Sequence, residues 1–422
     1  MIFDVSDIAD FKIRAQQWAS GFEVCCYLDS NQFTNADSKF DLLIAAGVKA
    51  QLTAKAGQAF EALQQFRQQH PDWITGFLSY DLKNETEHLS SNLTDELNFP
   101  DLYFFAPLHL IKVKGHQAEI ISDESEHIWK QINNEKLQPL KAVNNLALQP
   151  CFTQQDYIDT FSQIKQHISR GDIYVTNFCQ EFFAANATID PLNVFWQLNT
   201  TSPAPFASFF RHYEQYVLCA SPERFLAKRG RQLISQPIKG TAKRGSSTQE
   251  DERIKQELRN NPKEQQENVM IVDLVRNDLT KSAEPGTVKT EELFGIYSFT
   301  QVHQMISTVT CQLRDGLSPV GALRNTFPMG SMTGAPKLKA MELMDHYERT
   351  RRGIYSGAIG YFDPDDDFDF NVVIRTIFYN AHNQYLSFQV GSAITFDAVA
   401  EQEYDECLLK AQAIMQVLGL QQ

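Results

Sequence analysis

The chain has 422 residues, of which 43% are hydrophobic and 21% charged, and its formal net charge is -14. This composition is typical of a globular protein with one large or two ordinary domains. Nucleic acids and anionic membranes are recognised through basic patches, so the acidic balance argues against both as partners. The first residues contain no basic or apolar targeting segment, and no run approaches the length of a membrane span. We therefore expect a cytoplasmic protein.

The seven cysteines are scattered along the sequence. Cys25 and Cys26 are adjacent, and no Cys-x-x-Cys pair occurs. The sequence therefore predicts neither a zinc site nor a disulfide framework, which agrees with a reducing compartment.

Residues 1–150 have the pattern of a mixed α and β segment. Apolar residues recur at helical spacing within 60–66, and the alternation in 108–122 predicts a hairpin. The segment lacks the residue types and spacing of a reaction centre, so we interpret it as scaffold or as an effector-binding layer. A polar stretch at 123–152 marks the boundary with the second region, residues 151–422.

The second region begins with a helix. Thr153 and Asp156 form a near capping box at its start, and Gly171 ends it. Strand-like segments follow at 173–183, 206–210 and 216–220.

A lysine stands in a turn between a proline and a glycine, in the segment Gln236-Pro237-Ile238-Lys239-Gly240-Thr241. Alternation in residues 231–235 predicts a strand before this turn, so Lys239 lies at a strand end, where catalytic groups are often found. Desolvation and neighbouring cations can remove the proton of such a lysine and make it a nucleophile. The alternative is a solvated surface lysine.

Two predicted helices each carry a pair of carboxylates on one side. One helix begins at Pro262 and becomes too apolar for a surface helix in its later part, and the other spans 398–418. If the two faces met, they would form a magnesium site, because Mg²⁺ takes a few carboxylates together with oxygens of an anionic substrate. The alternative is two solvated helix faces. The pairs are Glu264 with Glu267 and Glu403 with Glu406, and Lys410 follows on the second face.

A glycine-rich turn at 330–337 leads into a predicted helix, with Thr333 as its cap. Backbone N–H groups at a helix start bind anions, but the Gly-Lys-Ser/Thr triplet of a phosphate-binding loop is missing. A carboxylate ligand is therefore favoured. Arg375 would support it with bidentate geometry, and a second turn at 391–393 would let the backbone approach the ligand. The alternative for Arg375 is a strand arginine that pairs with a surface acid.

These motifs, in this order, resemble the chorismate-utilising enzymes, a family with anthranilate, isochorismate, salicylate and aminodeoxychorismate branches. The likeness is strong over roughly residues 150–420 and loose before them. Its motifs are Ser-Pro-Glu-Arg-Phe at 221–225, Pro-Ile-Lys-Gly-Thr at 237–241, ENVMIVDLVRNDL at 267–279, GSMTGAPK at 330–337, Arg-Arg-Gly at 351–353 with 357–361, and residues 403–410.

The resemblance implies an α+β fold in which two large antiparallel β-sheets pack face to face with helices outside. It also implies that segment 1–150 is interleaved with the catalytic region 151–422, which binds Mg²⁺ and chorismate, a dicarboxylate. Glu267 and Glu406 look like the metal ligands, with Glu264 and Glu403 behind them, and Glu223 resembles an acid–base residue near the leaving hydroxyl. The substrate-binding residues by motif are Thr241, Thr333, Gly334, Tyr361, Arg375, Gly391 and Lys410.

Lysine in the Pro-Ile-Lys-Gly-Thr motif resembles the aminodeoxychorismate branch, whereas the other branches have alanine there. In that branch the amine of Lys239 is expected to attack C2 of chorismate while the C4 hydroxyl leaves. Ammonia then attacks C4 and yields 4-amino-4-deoxychorismate for p-aminobenzoate and folate synthesis. The alternatives are anthranilate synthase component I, an isochorismate or salicylate synthase, and a non-catalytic chorismate-binding protein.

The sequence contains no Gly-x-Cys-x-Gly nucleophile turn, so ammonia is expected from a separate glutamine amidotransferase subunit. Val175, Gln304 and Ser392 stand where the family often has glutamine, histidine and glycine. These differences concern substrate orientation and departure of the hydroxyl rather than the reaction class. The effector element Leu-Leu-Glu-Ser of tryptophan-sensing relatives reads Leu-Leu-Ile-Ala at 42–45, so feedback by tryptophan is not expected.

Overall fold

The computed structural model describes residues 1–33, 37–137, 139, 146–299 and 302–420. Within these ranges the strands are β1 Ile2–Asp4, β2 Val24–Asp29, β3 Leu42–Ala54, β4 Ile74–Leu78, β5 Leu102–Lys114, β6 Gln117–Ile121, β7 Gln149–Pro150, β8 Val175–Ala184, β9 Phe206–His212, β10 Gln215–Ser221, β11 Arg224–Arg229, β12 Gln232–Gln236, β13 Ile238–Lys243, β14 Lys289–Ser298, β15 Val302–Gln312, β16 Gly334–Ala335, β17 Ala358–Phe362, β18 Phe368–Asn371, β19 Thr376–Asn380 and β20 Tyr385–Ile394.

The helices within the same ranges are α1 Ile8–Ser20, α2 Ala59–Gln69, α3 Lys83–Thr86, α4 Ser125–Asn134, α5 Gln154–Arg170, α6 Pro191–Thr201, α7 Thr248–Asn260, α8 Pro262–Thr280, α9 Pro319–Thr326, α10 Lys337–Tyr347 and α11 Ala400–Val417. Two short 3₁₀ helices cover Tyr80–Leu82 and Gly330–Met332. None of the helices in the described part of the chain is both long and apolar enough to cross a membrane.

The strands pair antiparallel and form two layers that share two long strands. The first layer runs β1-β6-β5-β3-β2-β9-β10-β19-β20-β8, with β7 and β16 on the far side of β8. The second layer runs β3-β5-β4-β17-β18-β11-β12-β15, and β15 also pairs with β13 and β14. A bulge between Val48 and Ala50 divides β3 between the layers.

The two layers pack face to face, which confirms the predicted α+β architecture. Phe77 of β4 meets Phe210 of β9 edge to face, with the ring centroids 5.2 Å apart. Both side chains are fully buried, and the rings of Tyr103 and Phe105 pack around them. Apolar burial between the sheets therefore fixes their relative position.

The helices cover the outsides of the layers. Those that pack on the first layer are α1, α4, α5, α6, α10 and α11, and those on the second are α2, α8 and α9. The predicted start and end of α5 are confirmed, because Thr153 and Asp156 form a capping box and Gly171 has φ +82°.

Strands from residues 1–150 pair inside both layers, β2 with β9 and β4 with β17. The N-terminal segment and the rest of the chain therefore share their hydrogen-bonded sheets. The domain boundary near residue 150 remains a prediction.

Helices α8 and α11 carry the predicted acidic pairs in their N-terminal halves. Asn261 caps α8, because its side chain accepts hydrogen bonds from the backbone N–H groups of Lys263 and Glu264. The later turns of α8 bury Ile271 and Val275 in the core, so the helix is held at its apolar end while its acidic first turns remain at the surface.

Candidate active site

The acidic pairs of α8 and α11 face each other across one gap. Lys263 in the first turn of α8 places Nζ 3.5 Å from Oε1 of Glu403 on α11 and 3.9 Å from Oε1 of Glu267 on its own helix. Burial raises the pKa of Glu264, and the charges of Glu267 and Glu406 raise it further. Because Glu406 belongs to the other helix, its effect on Glu264 places both pairs in one site.

Lys410 ties α11 to the first sheet at this gap. Burial alone would raise the pKa of Glu406, but the Lys410 ammonium, 2.7 Å from Oε1, lowers it overall. Lys410 also donates a 2.9 Å hydrogen bond to the carbonyl oxygen of Gly391 in β20. Burial raises the pKa of Glu403, and the neighbouring Glu406 adds to that effect.

The glutamates form no preformed cage around a metal. Within residues 1–33, 37–137, 139, 146–299 and 302–420, no group of three or more His, Cys, Asp or Glu side chains could hold a metal ion. Mg²⁺ keeps several waters and usually takes one or two carboxylates together with oxygens of an anionic ligand. Burial first, and then the neighbouring carboxylates, raise the pKa of Glu264 and Glu403, so added positive charge would stabilise their ionised forms. A divalent cation that arrives with an anionic ligand therefore fits these residues.

Lys239 lies near the start of β13, and the predicted turn is instead a bulge in a strand. The register of β13 against β15 shifts between Ile238 and Thr241, which places Lys239 and Gly240 in the bulge. Gly240 has φ +93°, and a Cβ at this position would lie 3.0 Å from Oε2 of Glu264. The backbone next to Lys239 therefore packs against one acidic pair.

The charge of Lys239 reaches both helices and the sheet. Its ammonium acts electrostatically on Glu264 of α8, on Glu406 of α11 and on Glu223. The structure thus brings together the predicted lysine, the predicted acid–base residue and the acidic pairs.

Glu223 lies in the connection between β10 and β11 and is only 4% exposed. Burial raises its pKa to about 7, although Ser331, Lys239 and Arg375 each oppose the increase. A carboxyl group with a pKa near neutrality can both give and take a proton at working pH, which is what a general acid or base requires.

Arg375 is a second cation beside Glu223, in the connection between β18 and β19. Burial lowers the pKa of its guanidinium, and the charge of Glu223 opposes this effect. The backbone of Arg375 has φ +53°, which is uncommon outside glycine, and its carbonyl accepts a 3.1 Å hydrogen bond from the Ala220 N–H. The charged neighbour of Arg375 is therefore the buried Glu223 and not a surface acid.

The prediction that Thr333 caps the following helix is wrong. Its hydroxyl donates instead to the carbonyl oxygens of Met329 and Gly330, at 3.3 and 3.2 Å. Helix α10 begins at Lys337 with Pro336 as the N-cap and no side-chain cap. The 3₁₀ turn before Thr333 brings these carbonyl oxygens within hydrogen-bonding distance of its hydroxyl, which is therefore not available to cap α10.

The rest of the glycine-rich turn is held by strand pairing with β8 and by an ion pair with α8. Gly334 pairs with Thr176 of β8, and a Cβ there would lie 2.3 Å from the carbonyl oxygen of Val175, so only glycine fits. Lys337 is buried and forms a 2.9 Å ion pair with Asp278 of α8. The turn therefore joins β8 to α8 on one side of Glu223.

Gly391 lies within β20, so the predicted second turn is wrong. It pairs with Cys179 of β8, and a Cβ would lie 2.7 Å from the Cys179 sulfur and 2.8 Å from Nδ2 of Asn177. The close approach of these strands requires glycine, and the Gly391 carbonyl is the group that receives Lys410.

Tyr361 does not join this group. Its ring lies 5.0 Å from that of Phe40 and 5.4 Å from that of Trp73, and it is paired with Asp369 of β18. The alternation of β17 turns the Tyr361 side chain towards the N-terminal segment, whereas the predicted carboxylate site lies at the acidic helices. Thr241 is exposed on β13, opposite Gln304 of β15.

Arg352 and Glu348, two residues without a predicted role, form a buried bidentate ion pair at 2.9 and 2.6 Å. Arg352 also donates to the carbonyl oxygens of Met332 at 2.7 Å and Asn177 at 2.8 Å. Glu348 accepts a 3.0 Å hydrogen bond from the Cys179 N–H. The pair locks the glycine-rich turn onto β8, and its i,i+4 spacing was the available signal.

Lys263 was also missed, although its i,i+4 spacing from Glu267 is visible in the sequence. Burial would lower its pKa, but the surrounding carboxylates, Glu403 first and then Glu267, raise it overall. Lys263 is therefore part of the charged gap.

Comparisons with known proteins agree with this geometry. Residues 23–416 match a family model described as chorismate binding enzyme. Aminodeoxychorismate synthase component 1 of Bacillus subtilis (strain 168) is 33% identical over 370 residues, covering 82% of this chain and 76% of that protein. Its counterpart from Escherichia coli (strain K12) is 34% identical over 351 residues, covering 81% and 76%. Anthranilate synthase component 1 of Thermus thermophilus is 31% identical over 375 residues, covering 84% and 80%.

Solved structures show the same fold. Anthranilate synthase component I from Streptococcus pneumoniae TIGR4 has a TM-score of 0.77 at 24% identity, covering 90% of this chain and 93% of that one. MenF, the menaquinone-specific isochorismate synthase from Escherichia coli, has a TM-score of 0.77 at 17% identity, covering 99% and 94%. On the extent of the family match and the shared fold, this chain belongs to the family of chorismate-binding enzymes.

Proposed function

We propose that the protein is component 1 of an aminodeoxychorismate synthase. It would use Mg²⁺ and ammonia to convert chorismate into 4-amino-4-deoxychorismate, for p-aminobenzoate and folate synthesis. The observation that carries the proposal is the position of Lys239, whose charge acts on Glu223 and on the glutamates of α8 and α11. Relatives named aminodeoxychorismate synthase component 1, at 33% and 34% identity over most of their length, support it.

Chorismate carries two carboxylates, and the site offers cations at separate places. Arg375 is suited to bind one carboxylate through its guanidinium fork. Gly334 and Gly391 let β16 and β20 lie close against β8, and Lys410 lies beside Gly391. The substrate-binding residues that we propose are Arg375, Thr241, Thr333, Gly334, Gly391 and Lys410.

Glu267 and Glu406 would hold Mg²⁺, with Glu264 and Glu403 behind them. When bound, the ion would supply positive charge that holds and orients a carboxylate of the substrate. Burial of Glu264 and Glu403 beside like charges supports this assignment, because such a group is stabilised by an added cation.

Lys239 supplies the nucleophile for the first displacement. Its amine attacks C2 of chorismate, both conjugated double bonds of the ring shift, and the C4–O bond breaks. Glu223, with a pKa of about 7, donates the proton with which the hydroxyl leaves as water. The nitrogen now bonded to C2 gives a proton to the Glu223 carboxylate, which restores the acid and leaves the substrate joined to Lys239.

Ammonia completes the second displacement. It attacks C4, both ring double bonds return to their original positions, and the C2–N bond breaks as a proton of the ammonium formed at C4 passes to the nitrogen of Lys239. Two allylic displacements on one face retain the configuration at C4. An amine nucleophile thus divides one difficult step into two easier ones.

The chain's cysteines support an external source of ammonia. All seven are free thiols, and burial raises the pKa of Cys25, Cys26 and Cys151 to about 12 and that of Cys311 and Cys407 to about 11. A glutaminase requires a reactive thiolate, which this burial disfavours. We therefore propose that a separate glutamine amidotransferase subunit delivers ammonia, and that the protein resides in a reducing cytoplasm.

Product identity tests the proposed function. We expect the purified protein, given chorismate, Mg²⁺ and an excess of ammonium salt, to form 4-amino-4-deoxychorismate, identified by mass spectrometry. Removal of the metal with EDTA should stop the reaction. Anthranilate as the product would indicate an anthranilate synthase. Isochorismate or salicylate would indicate one of the other branches, and no turnover would indicate a non-catalytic chorismate-binding protein. Each of these three results would refute the proposal.

Lys239→Ala should lower turnover on the order of a thousandfold or more, because it removes the nucleophile of the first step. The protein should still fold, because Lys239 is only partly buried and Lys263 and Lys410 remain as cations beside the glutamates. Lys243→Ala, an exposed position on the same strand, is the matched control and should retain wild-type turnover. Unchanged turnover in Lys239→Ala would remove the covalent role.

The raised pKa of Glu223 predicts a descending limb in the pH profile of kcat/KM. A general acid works only while protonated, so kcat/KM for chorismate, measured at constant free ammonia, should fall as pH rises through about 7. Glu223→Gln should lower the rate and abolish this descending limb. Glu342→Gln, an exposed acid on α10 paired with Lys339, should keep the limb. Persistence of the limb in Glu223→Gln would contradict the assignment.

A further inference from the structure

Lys263 occupies an unusual place for a cation. It is the second residue of α8, whose N-terminus carries the positive end of the helix dipole, so a lysine there is unfavourable without nearby negative charge. The offsetting charge comes from Glu403, 3.5 Å away on α11, and from Glu267, 3.9 Å away on α8. The lysine is therefore held by carboxylates of both helices.

The other two ammonium groups of the gap are placed differently. Lys410 belongs to α11, where it pairs with Glu406 and is anchored to the Gly391 carbonyl. Lys239 belongs to the sheet. Only Lys263, among these three, lies within 4 Å of glutamates on both α8 and α11, and its ammonium also interacts with Glu264 and Glu406.

A divalent ion that bridges the two helices needs the same space. Mg²⁺ lies about 2.0–2.1 Å from its ligand oxygens, so an ammonium 3.5 and 3.9 Å from the same carboxylates would be close to it and strongly repelled. The Lys263 side chain is 47% exposed, so it can swing into solvent without disturbing the helix. Glu403 is only 3% exposed and has no comparable freedom.

We propose that Lys263 is a built-in counter-ion that holds the acidic pairs together in the metal-free protein and must be displaced when a divalent cation binds. The inference rests on the proposed metal role of the glutamates. Lys263 and the metal therefore compete for the same carboxylates. Lys263 weakens the binding of divalent cations and stabilises the acidic pairs when no metal is bound. Lys263 is a positioning residue and takes no part in the chemical steps.

Direct binding measurements test this inference without turnover. We expect Lys263→Met, which keeps the apolar stem and removes the charge, to bind Mn²⁺ about tenfold more tightly than the wild type, followed by loss of the free-ion EPR signal. Lys263→Arg should bind Mn²⁺ as the wild type does. Lys255→Met is the matched control, because Lys255 pairs with Glu252 on the neighbouring α7, and it should leave the affinity unchanged.

Thermal unfolding in EDTA gives a second measurement. Lys263→Met should unfold at a lower temperature than the wild type, because the glutamates lose their counter-charge. Added Mn²⁺ should replace that charge and remove the difference between the two unfolding temperatures. Equal or weaker Mn²⁺ binding by Lys263→Met would overturn the inference and leave the metal role intact if the wild type binds the ion. Failure of both proteins to bind Mn²⁺ would overturn the inference together with the metal role.

Discussion

The candidate site depends on bringing four carboxylates together at the edge of the core. Burial beside like charges is costly unless cations share the space, and here Lys263, Lys410 and Lys239 supply them from α8, α11 and the sheet. The need to balance this charge explains why cationic groups converge from separate parts of the chain. It also explains why the gap suits both a metal ion and an anionic substrate.

The scaffold places these charges by close backbone approach and by one buried ion pair. Gly240 lets the bulge of β13 pack against Glu264, and Gly391 lets β20 lie against β8 while its carbonyl receives Lys410. Arg352 and Glu348 fasten the glycine-rich turn to β8. Ser331 of the turn lines the same cavity as Glu223 and opposes the increase in its pKa, so the position of the turn affects the proposed proton donor.

The features that could be predicted from the sequence are those that local interactions determine. The cap of α5, the start of α8 and the acidic faces follow from residues close together in the chain, and the family motifs implied the paired sheets. Long-range pairing decided the rest. Gly391 is a strand residue because β8 lies beside it, and Tyr361 turns to Phe40 and Trp73 because of the register of β17. The register between these strands depends on residues far apart in the chain, so a local sequence pattern does not reveal it.

A covalent intermediate on Lys239 is the central chemical claim, and a trapping experiment tests it most directly. The protein would be mixed with chorismate and Mg²⁺ without ammonia, quenched, digested and analysed by peptide mass spectrometry. We predict that the peptide containing Lys239 gains the mass of chorismate less one water, and that added ammonia releases this adduct as product. Product formation with no adduct on Lys239, or with the adduct on another residue, would contradict it.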